Sequence, residues 1–215
     1  MKLNAKELRV TKPTEEDLVK ISRKPLYIVL DNVLDTYNIG SIFRLADAVA
    51  AREVILCGGS EKPPSSRIHK AAVGTEEWVG WRYFATTQDA LKTLKMENEG
   101  LKIIVVEQSE KSVSLFSLNN SPLHPSNTSP PYPSANLVTQ VPHPNPSPNL
   151  GEGNLRDEIP VAIVVGHETD GCSKEVLDTA DVIVEIPMWG VNKSLNVHVS
   201  AAIAVYKILE NWDGL

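Results

Sequence analysis

Five short runs of β-branched and aliphatic residues constrain this chain more than anything else in it: Leu26-Tyr-Ile-Val-Leu30, Glu53-Val-Ile-Leu56, Leu101-Lys-Ile-Ile-Val-Val106, Val161-Ala-Ile-Val-Val165 and Val182-Ile-Val-Glu-Ile186. Runs this short and this continuously apolar suit strands buried on both faces, as in a parallel sheet covered by helices on either side. Between the runs, apolar residues recur at helical spacing. Ile39, Ile42, Phe43, Ala46 and Val49 form one stripe, and Ala90, Leu91 and Leu94 another. Leu195, Val199, Ile203, Tyr206 and Leu209 form a third, on a helix expected from Ser194 to about Asn211 with Ser194 as its N-cap. Near the start, Thr14-Glu-Glu-Asp17 ahead of Leu18 and Ile21 reads as a capping box with Asp in place of Glu. Strands alternating with helices over most of a chain predict an α/β fold, with a mostly parallel sheet and helices on both faces.

A chain of 215 residues, 42% hydrophobic and 22% charged, is long enough for one globular domain with a sizeable core. One stretch breaks the pattern. Nine of the 15 prolines fall between Pro122 and Pro148, among Ser and Asn, so residues 119–157 are expected to form a flexible insertion within a domain spanning 25–215, preceded by an N-terminal extension at 1–24. Cys57 and Cys172 are too few for a disulfide framework or a four-thiolate zinc site, and read as small buried hydrophobes. The first residues lack the apolar core of a signal peptide, and no apolar stretch approaches the roughly 20 residues needed to span a bilayer, so no membrane association and a cytoplasmic location are expected. The net charge of −6, from 21 basic and 27 acidic side chains, argues against a protein coated in basic patches. It leaves room for a local basic rim, for which Arg44, Arg67, Lys70 and Lys193 are candidates.

In sheets of this kind ligands bind beyond the carboxyl ends of the strands. Three polar, glycine-containing segments fall there: Asp31 to Arg44, running from the first strand into a helix; Gly166-His-Glu168-Thr-Asp-Gly171, directly after Val165; and Pro187 to Asn196, ahead of the last helix. On residue types alone Gly40 and Gly171 also suit tight turns, Asn38 and Ser194 suit caps, and Arg44 suits a solvated helix face. There is no GxGxxG after the first strand and no GxxxxGK[ST], which leaves a dinucleotide site or a P-loop without support. The histidines at 69, 124, 143, 167 and 198 do not cluster with carboxylates at ligand spacing, and no metal is expected.

Taken in order, Asn38-Ile-Gly-Ser-Ile-Phe-Arg44-Leu-Ala-Asp-Ala, Val165-Gly-His-Glu168-Thr-Asp-Gly171 and Ile186-Pro-Met-Trp-Gly-Val-Asn-Lys-Ser-Leu-Asn-Val197 closely resemble the three motifs of the SpoU/TrmH-type RNA 2′-O-ribose methyltransferases of the SPOUT superfamily. The resemblance implies a C-terminal trefoil knot, which topology rules alone would not suggest. It implies a homodimer built partly on the last helix, and S-adenosylmethionine held by Val106, Glu107, Gly166, Gly171, Ile186, Met188 and Leu195. It implies an RNA substrate, tRNA ahead of rRNA, with Ala71-Ala-Val-Gly74 and Trp78-Val79 most like the branch that methylates a D-loop guanosine of tRNA.

The same resemblance implies the catalytic set Arg44, Asn38, Glu168, Ser194 and Asn196. A ribose hydroxyl is a poor nucleophile and must lose its proton as it attacks the methyl group. The family gives that activation to the arginine, although arginine normally keeps its proton. Arg44 is therefore either the base or a charged group that fixes a phosphate and steadies the developing alkoxide, leaving the proton to phosphate or water, and it acts within its own chain or across the dimer. Asn38, Glu168, Ser194 and Asn196 are expected to orient Arg44 and the ribose through hydrogen bonds. The alternative to an enzyme is a non-catalytic RNA-binding or assembly factor with the same fold.

Overall fold

A computed structural model describes residues 3–118 and 159–213; the insertion expected at 119–157 lies outside the described residues. In chain order the elements are α1 (Ala5–Leu8), α2 (Glu15–Val19), β1 (Lys24–Asp31), α3 (Thr36–Ala48), β2 (Ala51–Cys57), α4 (Ser66–Ala72), β3 (Gly80–Phe84), α5 (Thr87–Glu97), β4 (Lys102–Val106), β5 (Val113–Ser114), β6 (Val161–Val165), α6 (Lys174–Thr179), β7 (Val182–Glu185) and α7 (Val197–Asp213). The strands form one seven-stranded sheet in the order β3-β2-β1-β6-β4-β7-β5. Every ladder in it is parallel.

The alternation along each central strand sorts its side chains into two cores. Leu26, Ile28 and Leu30 of β1 and Val161, Ile163 and Val165 of β6 face one side, where Ile39, Ile42 and Phe43 of α3 and Ala201, Val205 and Ile208 of α7 cover them. Tyr27 and Val29, with Ala162 and Val164, face the other side against Leu91 and Leu94 of α5 and Val176 of α6. All five residues of β6 are buried, which is why its sequence is apolar without alternation. Helices lie on both faces of the sheet, as the five apolar runs predicted.

Several boundaries differ from the sequence reading. β3 and β5 were not anticipated: β3 is an edge strand with only Trp81 buried, and β5 has two residues. The last helix begins at Val197, not Ser194. Asn196 supplies the cap, its Oδ1 accepting from the His198 amide at 3.0 Å, whereas the Ser194 hydroxyl donates to Asn192 Oδ1 at 2.9 Å in a local turn. Leu195 thereby leaves the helix stripe and stands 41% exposed. Gly40 does not serve a turn. It lies inside α3, where a Cβ would come within 2.5 Å of Ala71 Cβ on α4. The capping box at Thr14 and Asp17 is present as read.

The N-terminal extension packs on the domain. A Cβ on Gly74 would overlap the carbonyl oxygen of Leu8, and the buried Arg23 donates to the Trp78 carbonyl at 2.8 Å. Both cysteines are buried and unpaired. Burial pushes the Cys57 thiol up to about 12, a hydrogen bond to Thr87 opposing and Asp31 reinforcing the shift. Burial likewise pushes Cys172 upward, which disfavours the thiolate form at both positions. Among the described residues no helix is long and apolar enough to cross a membrane.

Candidate active site

The three polar segments meet because β1, β6 and β7 run in parallel and end on the same side of the sheet. After β6 the chain turns sharply. His167 and Gly171 exchange backbone hydrogen bonds of 3.0 Å in each direction. His167 Nδ1 accepts from the amides of Thr169 and Asp170, at 3.2 and 3.1 Å, so its ring braces the turn from inside. Gly171 closes the turn at φ +68°, and a Cβ there would overlap the Glu107 carboxylate. A Cβ on Gly166 would overlap the backbone of Gly171 and Cys172.

This turn presents Glu168 to the start of α3. Its carboxylate accepts from the Leu34 and Asp35 amides at 3.2 and 3.0 Å and from Asn38 Nδ2 at 3.1 Å. The position is a helix N-terminus, where exposed N–H groups favour an anion. Burial alone would push the Glu168 carboxyl up, but the bonds from Asn38 and from the Asp35 and Leu34 amides outweigh it and hold the carboxyl below the ordinary range. A carboxyl held low in the folded state stabilises the fold above its unfolded pKa and loses that contribution as pH falls through the folded value. Glu168→Gln should therefore flatten the loss of stability from about pH 4.3 downward. The effect should stay below about 1 kcal/mol because the side chain is exposed, and urea titrations at a series of pH values measure it.

Asn38 is 1% exposed and reaches two partners. With Nδ2 on Glu168, its Oδ1 lies 3.1 Å from His198 Nδ1, on the first turn of α7. The His198 ring meets Tyr37 edge-on, with centroids 6.4 Å apart. The sequence weighs the histidines for metal-ligand spacing, and His167 alone as a base, and nothing in it singles out His198. Its partner Asn38 is 160 positions away, a separation that no local pattern bridges.

Beside this chain of bonds is a cavity of about 490 Å³ at the ends of β4, β6 and β7. All seven residues expected to hold the cofactor line it: Val106 and Glu107, Gly166 and Gly171, and Ile186, Met188 and Leu195. Glu107 is fixed there by the Cys172 amide at 2.9 Å and the Gln108 amide at 3.0 Å. Of the expected catalytic residues, Glu168, Ser194 and Asn196 also line the cavity, and Asn38 supports it through Glu168.

Arg44 stands apart. It is exposed and, among the described residues, has no hydrogen bond or ion pair, so Asn38, Glu168, Ser194 and Asn196 do not orient it as expected. The reason is helical geometry. Arg44 lies six positions after Asn38 and so points about 120° away round the helix, while it shares a face with Tyr37 about two turns back. Of the four candidate basic residues only Lys193 lines the cavity; Arg44, Arg67 and Lys70 do not.

Comparison with known proteins places this geometry in a family. The model for the SpoU rRNA Methylase family matches residues 25–206. The 23S rRNA (guanosine-2'-O-)-methyltransferase RlmB of Neisseria meningitidis is 27% identical over 191 residues, which cover 89% of this chain and 60% of that protein. The tRNA (guanosine(18)-2'-O)-methyltransferase of Escherichia coli is 26% identical over 189 residues, covering 86% of this chain and 63% of that one. The chain thus spans about six tenths of these curated relatives. Among solved structures, the A. aeolicus TrmH/SpoU tRNA modifying enzyme superposes with a TM-score of 0.63 at 23% identity, over 96% of this chain and 81% of its own. An AdoMet-bound rRNA methyltransferase from Sinorhizobium meliloti does so with a TM-score of 0.63 at 22% identity, over 93% of this chain and 58% of its own. These structures share the fold.

Proposed function

The chain belongs to the SpoU rRNA methylase family, and from that premise we propose that it is an S-adenosylmethionine-dependent RNA 2′-O-ribose methyltransferase that works as a homodimer with a C-terminal trefoil knot. The observation that carries the proposal is the cavity in which Val106, Glu107, Gly166, Gly171, Ile186, Met188 and Leu195 converge from separate parts of the chain. The lining suits that cofactor. Apolar side chains such as Val106, Ile186, Met188 and Leu195 would flank an adenine ring, and Ser194, Asn192 and Asn196 offer polar groups to the rest. The charges also fit. Glu107, Glu168 and Glu185 line the cavity against the single lysine Lys193, a balance that favours a cationic ligand over a phosphate-bearing one. S-adenosylmethionine supplies, when bound, an electrophilic methyl group on a positively charged sulfur.

The chain's own residues then have separable tasks. Glu107 and the turn from Gly166 to Gly171 shape the cofactor wall. Glu168 and Asn38 tie that wall to α3. Arg44, exposed on the outer side of α3, is left to meet RNA phosphate and the developing alkoxide, which we assign to the cavity of the second subunit. Next to α3, the outward stripe of α7 carries Val199, 36% exposed, and Tyr206, 57% exposed, and supplies an apolar face for that subunit. Ala71, Ala72, Val73 and Gly74, which resemble the tRNA-methylating branch, are all buried, so each has a packing role within this chain.

Incubation of the purified protein with methyl-labelled S-adenosylmethionine and unmodified tRNA and rRNA transcripts tests the proposal. Label on a ribose 2′-oxygen of either RNA is the expected result. Binding of RNA without transfer to either would sink the enzyme and leave the non-catalytic binding factor.

A further inference from the structure

The reaction read above needs a group to take the hydroxyl proton, and arginine is a poor proton acceptor. His198 does not itself line the cavity, but it lies between Val197 and Ser200, which do, with its ring beside Asn38 and Tyr37 of α3. Its hydrogen bonding fixes its tautomer. The Glu168 carboxylate already accepts from two backbone amides, so the Asn38 group facing it at 3.1 Å must be the donating Nδ2. The opposite amide orientation would set an oxygen against a carboxylate. Asn38 Oδ1 therefore faces His198 Nδ1, which must donate to it. A neutral imidazole that donates through Nδ1 carries its lone pair on Nε2. Among the described residues Nε2 has no hydrogen-bond partner, and the ring is only partly buried.

We propose that His198 Nε2 is the proton acceptor for the substrate's 2′-hydroxyl, with Asn38 and Glu168 as the positioning pair that holds the Nδ1–H tautomer. This rests on the methyltransferase reading above. In the step, the 2′-oxygen forms its bond to the methyl carbon as the C–S bond breaks. The bonding pair stays on sulfur, and the hydroxyl proton passes to Nε2, giving an imidazolium that returns it to water. The groups facing His198 are Asn38 and Tyr37 from α3, with Glu168 behind Asn38, and Asn196 on the turn before its own helix. The carboxylate steadies the imidazolium through the Asn38 amide, as the third member of a triad steadies its histidine. Arg44 is then free to act as a fixed positive charge.

Two measurements test this. In single-turnover transfer to tRNA and rRNA transcripts, His198→Asn, whose amide N–H takes the place of Nδ1–H toward Asn38 but cannot take a proton, should be about a hundredfold slower, with unchanged affinity for S-adenosylmethionine. The rate of the wild type should fall at acid pH while that of His198→Asn stays level, and added imidazole should restore part of the activity of His198→Ala. Independently of turnover, the nitrogen chemical shifts of His198 by NMR in mildly alkaline buffer should report a protonated Nδ1 and a bare Nε2, and Asn38→Leu should abolish that preference. Full activity in His198→Asn, or an Nε2–H tautomer in the wild type, overturns the proposal and leaves the enzyme reading standing. A wild type that transfers no methyl to either RNA overturns both.

Discussion

Arg44→Ala should leave the protein folded and able to bind S-adenosylmethionine while lowering ribose methylation by about two orders of magnitude or more. The two halves of that expectation have different sources. Arg44 is exposed and unpaired among the described residues, so truncation removes no contact on which the fold depends, and the unfolding free energy should change by no more than about 0.5 kcal/mol. It does not line the cavity, so cofactor affinity should match the wild type by calorimetry. The loss of rate comes from removing a positive charge where negative charge develops on the attacking oxygen. Arg44→Lys, which keeps the charge without the planar fork, should recover only part of the rate. Mixing Arg44→Ala with a variant whose cavity is blocked, Leu195→Trp, should restore activity in the mixed dimers, since each would contain one intact pairing of Arg44 with an open cavity. No recovery would assign Arg44 to its own subunit's cavity.

Gly40→Ala should destabilise the protein by about 3 kcal/mol, read as a fall in the midpoint of urea unfolding without a change in slope. On an isolated helix the same change is stabilising by roughly 1 kcal/mol, because alanine is the better helix former. Here the added methyl would sit 2.5 Å from Ala71 Cβ and 2.8 Å from both the Ala72 nitrogen and the Ile68 oxygen. Two of those three atoms are backbone, so no side-chain rotation relieves the overlap. α4 must move off α3 as a body, uncovering Ile68 and Ala72, which are fully buried against the core. Ser41→Ala, one residue on, serves as the control, with an expected change within about 0.5 kcal/mol.

How much of this was legible beforehand depended on range along the chain. β1, β2, β4, β6 and β7 could be read because burial on both faces forces continuous apolar runs, which survive any uncertainty about neighbours. β3 could not, since an edge strand needs only one buried side chain to pair with β2, and Gly80-Trp-Arg-Tyr-Phe84 carries no clear pattern. Ser194 was misplaced as a cap because Ser194 and Asn196 are both good capping residues two positions apart, and only the bond from Asn196 Oδ1 to the His198 amide decides between them. In the site, the residues that line the cavity were named through the family resemblance, each of its motifs falling after a recognisable strand. His198 did not, because its meaning depends on which way the Asn38 amide is turned, and a carboxylate on a third segment determines that.

The place of β6 has a consequence in time. Leu26 of β1 pairs with Val161, and so does Lys102 of β4, so the strand that joins the two halves of the sheet is also among the last to be made. A chain emerging from the ribosome completes β1 with β2 and β3 on one side and β4 on the other. It must then wait for seconds, at the usual 5 to 20 residues each second, before Val161–Val165 arrives. During that wait β1 and β4 each present an unpaired apolar edge, the kind of surface that seeds strand pairing between molecules. The most buried strand of the finished protein therefore opens, during its birth, the window in which the nascent chain most needs a chaperone.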